Sequence, residues 1–273
     1  MPETLTTIPR IPDCTTVFVA GPVASGKTWL IGKLVDRMER ALIFDAGADY
    51  LDANYTHIWS NPKNLAETLQ KNPYYYRIAY HLNPEFREDE FSWCYRSIWT
   101  LDKPRWFVIE EAHEICPING VLRDAETVLR YSRHVLLGVI ASSQRIADVD
   151  KLLTGGARVI ILFHTSEARD IEATRLRWGK EVAEALINLR PCIYNDATKE
   201  VEQHPECIII IKGQGFRVVS LGTKVKQFSK GDDIWSEQEV EAAEMQEAQS
   251  LEQNSGNPEP SSQESMSEVS QPS

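Results

Sequence analysis

Several features that define other protein classes are missing from this sequence. No apolar run reaches the roughly 18 residues that a membrane-spanning helix needs, which argues against an integral membrane protein. The first residues lack the basic and apolar regions of a secretory signal peptide. The five cysteines are scattered and include no C-x-x-C pair, which argues against a disulfide framework. We therefore expect the protein to stay in the cytoplasm where it is made.

The C-terminal part of the chain lacks basic residues. Residues 232–273 contain 11 of the 40 acidic residues and none of the 29 basic ones, so 29 acids balance 29 bases over residues 1–231. Large apolar residues are also almost absent past Trp235. This composition predicts a disordered acidic tail that docks a protein partner or keeps the protein soluble, with a short exposed helix over 237–251. The neutral body neither favours nor excludes a nucleic-acid partner.

Residues 15–231 alternate short apolar runs with amphipathic stretches. This alternation predicts one α/β domain with a mainly parallel sheet flanked by helices, preceded by an N-terminal extension over 1–14. Strands are expected at 15–20, 41–45, 76–82, 106–110, 136–143 and 158–163, and helices at 27–40, 85–101, 122–133, 167–178 and 180–189. The runs at 207–211 and 216–219 flank two glycines and predict a β-hairpin at one edge of the sheet.

The clearest motif is a glycine-rich loop between the first predicted strand and the first predicted helix. It reads Gly21-Pro22-Val23-Ala24-Ser25-Gly26-Lys27-Thr28 and has the G-x-x-x-x-G-K-[ST] spacing of a P-loop. Backbone N–H groups of such a loop and the positive end of the helix dipole bind polyphosphate. We expect all eight residues to bind ATP. Lys27 is expected to contact the β- and γ-phosphates during catalysis, and the Thr28 hydroxyl to bind Mg²⁺.

A second motif consists of two carboxylates at the end of a buried strand. Glu110 and Glu111 follow the run Trp106-Phe107-Val108-Ile109, and successive residues of a strand point to opposite sides. We predict that Glu110 lies beside Mg²⁺ through its water shell and that Glu111 activates the attacking water. The alternative is a solvated acidic pair without a catalytic role. A second acid favours hydrolysis over transfer to a small acceptor, and ATP is the default nucleotide because no guanine-selective Asn-Lys-x-Asp run is present.

Three further segments follow these motifs in a recognisable order. Asp45-Ala-Gly-Ala-Asp-Tyr50 ends the second strand, Ser142-Ser143-Gln144-Arg145 ends the strand after the acidic pair, and Arg158 to Asp170 forms a strand and the turn that follows it. Together with the acidic pair and its Ala-His sequel, this order resembles the FtsK–HerA superfamily of ring-forming, DNA-translocating ATPases over residues 15–180. The resemblance implies a RecA-like P-loop core with an additional strand.

The same resemblance implies roles for two more residues. Gln144 looks like the sensor of the γ-phosphate, and Arg133 like an arginine finger supplied to the ATP of a neighbouring subunit, with Arg130 and Arg169 as rivals. The alternatives are a polar cap on a strand for Gln144 and an ordinary surface residue for Arg133. The family also implies a ring, most simply a hexamer, that pumps double-stranded DNA, and the short chain is most similar to viral genome-packaging ATPases.

Sequence alone leaves the DNA partner open. Basic residues that could face a central channel occur in two groups, one at Arg169, Arg175, Arg177 and Lys180 and the other at Lys224, Lys226 and Lys230. Tyr74-Tyr75-Tyr76 could stack on bases or pack at a strand start. Two other functions stay open, an ATPase that drives protein export or virion assembly, and a nucleotide-gated binding module that acts through the acidic tail.

Overall fold

A computed structural model describes residues 3–5, 11–101, 105–195 and 200–221 of the chain. Their strands are β1 Glu3–Leu5, β2 Thr16–Ala20, β3 Arg40–Asp45, β4 Thr56–Trp59, β5 Tyr76–His81, β6 Arg105–Ile109, β7 Leu137–Ser143, β8 Val159–Phe163, β9 Ile193–Asn195, β10 Glu200–Gln203, β11 Glu206–Ile211 and β12 Gly215–Leu221. The helices are α1 Lys27–Val35, α2 Pro62–Lys71, α3 Arg87–Trp99, α4 Arg123–Tyr131, α5 Lys151–Gly156, α6 Ala168–Trp178 and α7 Lys180–Ile187.

The centre of the fold is a ten-stranded sheet in the order β1-β12-β11-β8-β2-β7-β6-β3-β5-β4. The seven strands from β8 to β4 are parallel. β7 lies between the strand before the P-loop and the strand before the acidic pair, which is the position expected of an additional strand. The predicted α/β class, with its mainly parallel sheet and flanking helices, is confirmed.

The predicted hairpin is also found, near one edge of the sheet, where β1 is the outermost strand. β11 pairs antiparallel with β8 and with β12, and β1 pairs parallel with β12. A separate two-stranded ribbon joins β9 and β10. The predictions for the acidic tail and for Lys224, Lys226 and Lys230 fall outside the described residues, and the proposed domain boundaries stay predictions. None of the helices in the described ranges has the length and hydropathy that a bilayer span requires.

Several predicted boundaries were wrong. The first helix ends at Val35 instead of residue 40, because a turn is needed before β3 begins at Arg40. A 3₁₀ turn at Pro84–Phe86 precedes α3, so this helix begins at Arg87 instead of residue 85. Another 3₁₀ turn, Ser132–Val135, follows α4 and contains Arg133, so this residue does not end the helix.

Buried contacts hold together the end of the sheet where β6 and β7 begin. The buried Arg105 guanidinium donates to the backbone carbonyls of Ile98 (2.6 Å), Trp99 (2.7 Å) and Val135 (2.7 Å), which joins the C-terminal end of α3 to the segment before β7. Cationic groups are favourable at this end of a helix because the last carbonyls have no intrahelical partner. One strand over, Gly138 leaves no room for a side chain, since a Cβ there would lie 2.5 Å from the Trp106 ring.

The strand order places the ends of four strands side by side. Ala20 is paired with Ser143, Ile109 with Ala141, and Phe44 with Ile109. Because these strands are parallel, the residues that follow β2, β3, β6 and β7 meet at one edge of the sheet. This is the carboxyl edge, where open α/β sheets bind their ligands.

Candidate nucleotide site

The P-loop crosses the carboxyl edge between β2 and α1. A Cβ at Gly21 would lie 2.6 Å from Phe163 Cβ, and Gly26 has a φ of 100°, so the loop depends on both glycines. No side chain caps α1 at Gly26, and the first helical hydrogen bond joins Leu30 N to Gly26 O (3.0 Å). The N–H groups of the first turn are therefore suited to an anion. The Ser25 hydroxyl is buried and has no hydrogen-bond partner among the described residues, which also fits a phosphate ligand.

Lys27 places a buried ammonium group beside this loop. Its Nζ donates to Gly21 O (2.7 Å) and Pro22 O (3.0 Å). Burial lowers the pKa of Lys27, while the charges of Glu111, Glu110 and Asp49 act in the opposite direction. The site thus combines one cation with three carboxylates from the ends of β3 and β6.

Glu110 is a buried acid with a hydrogen-bond donor at each oxygen. The Tyr50 hydroxyl donates to Oε1 and the Ser142 hydroxyl to Oε2. Burial raises the pKa of Glu110 to about 7, although the two hydroxyls and Lys27 act to lower it. The side chain is only 5% exposed, so ionising it in the folded state is costly.

Glu111 has a different environment. Its backbone is left-handed, with a φ of 49°, and its side chain is half-buried. Gln144 Nε2 donates to Oε1 (2.8 Å), and His113 Nδ1 lies 3.2 Å from Oε2. Burial works to raise the pKa of Glu111, but His113, Gln144 and Lys27 together hold it below its ordinary value. The nearby carboxylate of Glu111 correspondingly raises the pKa of His113. Glu111 is therefore ionised at neutral pH.

A divalent cation would find oxygen ligands here. Thr28 is the second residue of α1 and Glu110 follows β6, and hydroxyl and carboxylate oxygens are the donors that Mg²⁺ prefers. No group of three His, Cys, Asp or Glu side chains within the described ranges could hold a metal by itself. A Mg²⁺ ion at the predicted site would need water and phosphate oxygens as further ligands, which is the usual arrangement for this ion.

A cavity of about 110 Å³ lies beside the P-loop, next to the end of β8. It is bounded by the outer part of the loop, the end of β8 and the segment before β9, with lining residues Pro22, Val23, Ala24, Ser25, Phe163, His164, Arg190, Pro191, Cys192 and Pro205. β8 and β7 pair with opposite sides of β2. The cavity and the pair formed by Glu111 and Gln144 therefore lie on opposite sides of the phosphate loop.

Arg133 does not reach this site. It precedes the first residue of β7, whereas Gln144 follows the last one. Seven strand residues at about 3.3 Å each separate the two by roughly 20 Å. Arg133 is exposed, and no partner for its side chain is found among the described residues. Of its rivals, Arg130 pairs with Glu126 (2.8 Å), and Arg169 lies 3.6 Å from Asp148.

The other basic and aromatic candidates are mostly engaged within the fold. Arg177 belongs to the first group of basic residues that could face a central channel, but in the structure it donates to Ile146 O (2.8 Å) and Val149 O (2.9 Å). Arg175 pairs with Glu172 (2.6 Å) and Lys180 with Glu184 (3.4 Å). Of the three adjacent tyrosines, the last, which begins β5, is buried, and the first two are exposed.

Four residues near the two acids were not predicted as site residues, namely Tyr50, Ser142, His113 and Asp49. All four lie within segments that carried the family resemblance, and the structure places them around the two acids. Ser142 meets Glu110 because the register pairs Ile109 with Ala141 and so brings the next residue of each strand together, and a sequence pattern does not specify that register. Tyr50 reaches Glu110 through a turn, which the sequence pattern does not specify either.

This strand order, with a P-loop after β2 and acids after β6, defines the P-loop NTPase fold with an additional strand. Solved structures with the same fold include the genome packaging NTPase B204 from Sulfolobus turreted icosahedral virus 2. Its complex with sulfate has a TM-score of 0.62 and 18% identity, covering 79% of this chain and 100% of that one. Its complex with AMPPCP has a TM-score of 0.59 and 19% identity, with coverages of 75% and 96%.

VirB4 of Thermoanaerobacter pseudethanolicus is a more distant structural match, with a TM-score of 0.51, 9% identity, and coverages of 80% and 90%. No protein-family model and no curated protein sequence matches the chain. The fold implied by the resemblance is thus confirmed.

Proposed function

We propose that the protein hydrolyses ATP in a Mg²⁺-dependent reaction at the carboxyl edge of the sheet. The observation that carries this proposal is the contact between Gln144 and the ionised Glu111, beside Lys27 and the N-terminus of α1. A carboxylate that is anionic at neutral pH can accept a proton from water, and Gln144 fixes its orientation. Lys27 and the loop N–H groups stabilise charge on the phosphates.

The two acids then take separate roles. Glu110, which is buried and held by two hydroxyls, faces the magnesium shell together with Thr28, and Glu111 activates the water. When bound, Mg²⁺ would neutralise part of the negative charge on the phosphates. Gln144 is suited to sense the γ-phosphate because its amide already contacts the general base.

Glu111→Gln tests this assignment in steady-state ATP hydrolysis. We expect kcat to fall at least about 100-fold, the lower range for losing a general base, while ATP affinity is retained. Glu114→Gln is the matched control, because it removes the same charge in the same turn from a residue that pairs with Arg87. Equal losses in both variants, or an unchanged rate in Glu111→Gln, would contradict the role of Glu111.

We further propose that the nucleoside end of ATP occupies the cavity beside β8. The cavity adjoins the loop on the side away from Glu111, where a nucleotide with its γ-phosphate near Glu111 would extend. Cys192 lines the cavity and, like Cys14, is partly exposed, whereas the other three cysteines are buried. ATP should slow thiol alkylation of Cys192 and leave Cys14 unchanged. Equal protection of both thiols, or of neither, would contradict this placement.

The transport function is proposed from the resemblance and from the similarity of fold to B204, one structure of which is described as a DNA-packaging ATPase from Sulfolobus Turreted Icosahedral Virus. We propose that a ring of this chain, most simply a hexamer, moves double-stranded DNA, as in viral genome packaging. Linear double-stranded DNA should then stimulate hydrolysis by the wild type and not by Glu111→Gln. Hydrolysis that is indifferent to DNA would favour a protein-export or assembly role.

Arg133 is proposed as the residue supplied in trans, since it is exposed and lies far from its own phosphate loop. Mixing two inactive variants tests this directly. In a ring of Arg133→Ala and Glu111→Gln subunits, an interface with intact Glu111 on one side and intact Arg133 on the other should hydrolyse ATP. Activity should therefore reappear on mixing. Arg130→Ala, which removes the salt bridge to Glu126, is the control and should remain active alone.

A further inference from the structure

The turn that follows β3 folds back onto the second acid motif. Asp45, the last residue of β3, accepts hydrogen bonds from the backbone N–H groups of Asp49 (3.0 Å) and Tyr50 (3.1 Å). These bonds close the turn on a side chain that is itself buried. The closed turn aims the Tyr50 ring across β3 toward β6, and its hydroxyl reaches Glu110.

A row of aromatic rings near the edge of the sheet holds the Asp45 side chain in place. Its Oδ2 lies 3.1 Å from His81 Nδ1, and His81 Nε2 lies 3.1 Å from His57 Nδ1. Trp59 stacks on His81 with ring centroids 4.1 Å apart. The row runs through the ends of β5 and β4 and leaves Asp45 little freedom to rotate, so the turn that carries Tyr50 is held from outside the phosphate loop.

This arrangement places the Tyr50 hydroxyl against Glu110. Ser142 reaches one carboxylate oxygen from β7 and Tyr50 reaches the other from the turn after β3, so the two hydroxyls come from different segments of the chain. Hydrogen bonds from neutral donors to a carboxylate are stronger than those between neutral groups, and they fix its orientation. Burial raises the pKa of the Tyr50 phenol well above its ordinary value, so it stays a donor at neutral pH.

We propose that Tyr50 is a positioning residue for the magnesium-binding acid, which it holds in the orientation that the metal's water shell requires. The inference rests on the proposed function, since it assumes that Glu110 serves Mg²⁺. Outer partners that orient a ligand typically contribute 10–100-fold to metal affinity or activity. Tyr50 thereby connects the metal acid to the Asp45 turn and to the ring stack at the end of β5.

Tyr50→Phe removes only the hydroxyl, and Tyr55→Phe is the matched control. The Tyr55 ring packs edge-on against Tyr50, with centroids 5.8 Å apart, so both substitutions remove one phenol oxygen from the same cluster. We would measure the Kd of a non-hydrolysable ATP analogue at saturating Mg²⁺ and in EDTA, and also the Tm of each variant. Tyr50→Phe should weaken binding about 10-fold or more in Mg²⁺ and leave the EDTA value unchanged, whereas Tyr55→Phe should change neither.

The alternatives give different results. Equal affinities of Tyr50→Phe and wild type in Mg²⁺ would overturn the positioning role alone. Weakening of the same size with and without Mg²⁺, or a matching loss in Tyr55→Phe, would show a general packing effect and would also overturn it. A wild-type affinity that does not depend on Mg²⁺ would instead overturn the metal role of Glu110, and with it the proposed function on which the inference rests.

Discussion

Glu110→Gln replaces a buried carboxylic acid by an amide of nearly the same shape. In the unfolded chain this acid has an ordinary pKa of 4.5, and burial in the folded protein raises it to about 7. Below pH 4.5 both states are protonated and ionisation costs nothing. As the pH rises from 4.5 to about 7, the unfolded chain loses the proton while the folded protein keeps it, so the folded state binds more protons and its stability falls. Above pH 7 the full cost persists.

The size of this cost follows from the pKa difference. A rise from 4.5 to about 7 corresponds to roughly 3.5 kcal/mol, at about 1.4 kcal/mol for each pKa unit. The amide of Glu110→Gln does not ionise and avoids it. One of the hydroxyls from Tyr50 and Ser142 must reverse to accept from the amide N–H₂, which reduces the gain. We therefore expect Glu110→Gln to be more stable than the wild type by about 1–3 kcal/mol at pH 8, and little different at pH 4.5.

Urea unfolding of the metal-free and nucleotide-free protein between pH 4.5 and 8 measures this difference. The other titrating groups are present in both proteins, so subtracting the two pH profiles isolates the contribution of Glu110. The difference should grow up to about pH 7 and then level off. Parallel profiles over the whole range, or a variant that loses stability as the pH rises, would refute the reasoning. Gain of stability with loss of Mg²⁺-dependent turnover would fit an acid retained for function.

Two further substitutions test the packing at the end of the sheet opposite the site. Arg105→Lys cannot satisfy all three buried carbonyls and should destabilise the protein by about 2–4 kcal/mol, measured by urea unfolding; a loss below about 0.5 kcal/mol would contradict the clamp. Gly138→Ala places a methyl group against the Trp106 ring and should cost about 1–3 kcal/mol, whereas Gly120→Ala, whose Cβ meets nothing within 4 Å, should be near neutral. Equal Tm values for the two alanine variants would contradict this contact.

The phosphate loop and the acidic pair could be predicted because each is a local pattern. The glycines, Lys27 and Thr28 are adjacent in sequence, and the strand and helix on either side are recognisable by composition. The same holds for the central strands, whose continuous apolar runs are typical of a parallel sheet that is buried on both faces. Fold class was therefore accessible without any information on contacts between distant segments.

β4 and α2 escaped prediction for different reasons. β4 buries one residue fully, Ile58, so it has no apolar run. The start of α2 carries the usual signals of a helix N-terminus, since the Asn61 side chain accepts a hydrogen bond from Asn64 N–H (3.0 Å) and Pro62 takes the first helical position. Its face is mostly polar, with only Leu65 and Leu69 buried, and the apolar periodicity was too sparse to predict a helix.

The partners of the two acids depend on contacts between strands that are distant in sequence. Ser142 reaches Glu110 only because β7 lies beside β6 in one particular register, and a shift by one residue would turn the hydroxyl to the other face. Tyr50 needs in addition a turn closed on Asp45. A sequence pattern identifies the residue types, but the register and the turn decide which of them meet.

Arg133 and Gln144 lie at opposite ends of β7, so one subunit cannot use both at the same ATP site. β7 separates them by roughly 20 Å, so a single subunit cannot bring both to one γ-phosphate without breaking the strand. A ring with head-to-tail interfaces presents two different surfaces of each subunit to its neighbours, and a residue far from its own phosphate loop is the kind that such an interface can bring to the next one. Arg169 follows β8 at the carboxyl edge and lies close to Asp148, on the side of its own loop. The greater distance of Arg133 from the phosphate loop of its own subunit therefore favours it over Arg169 for a role in trans.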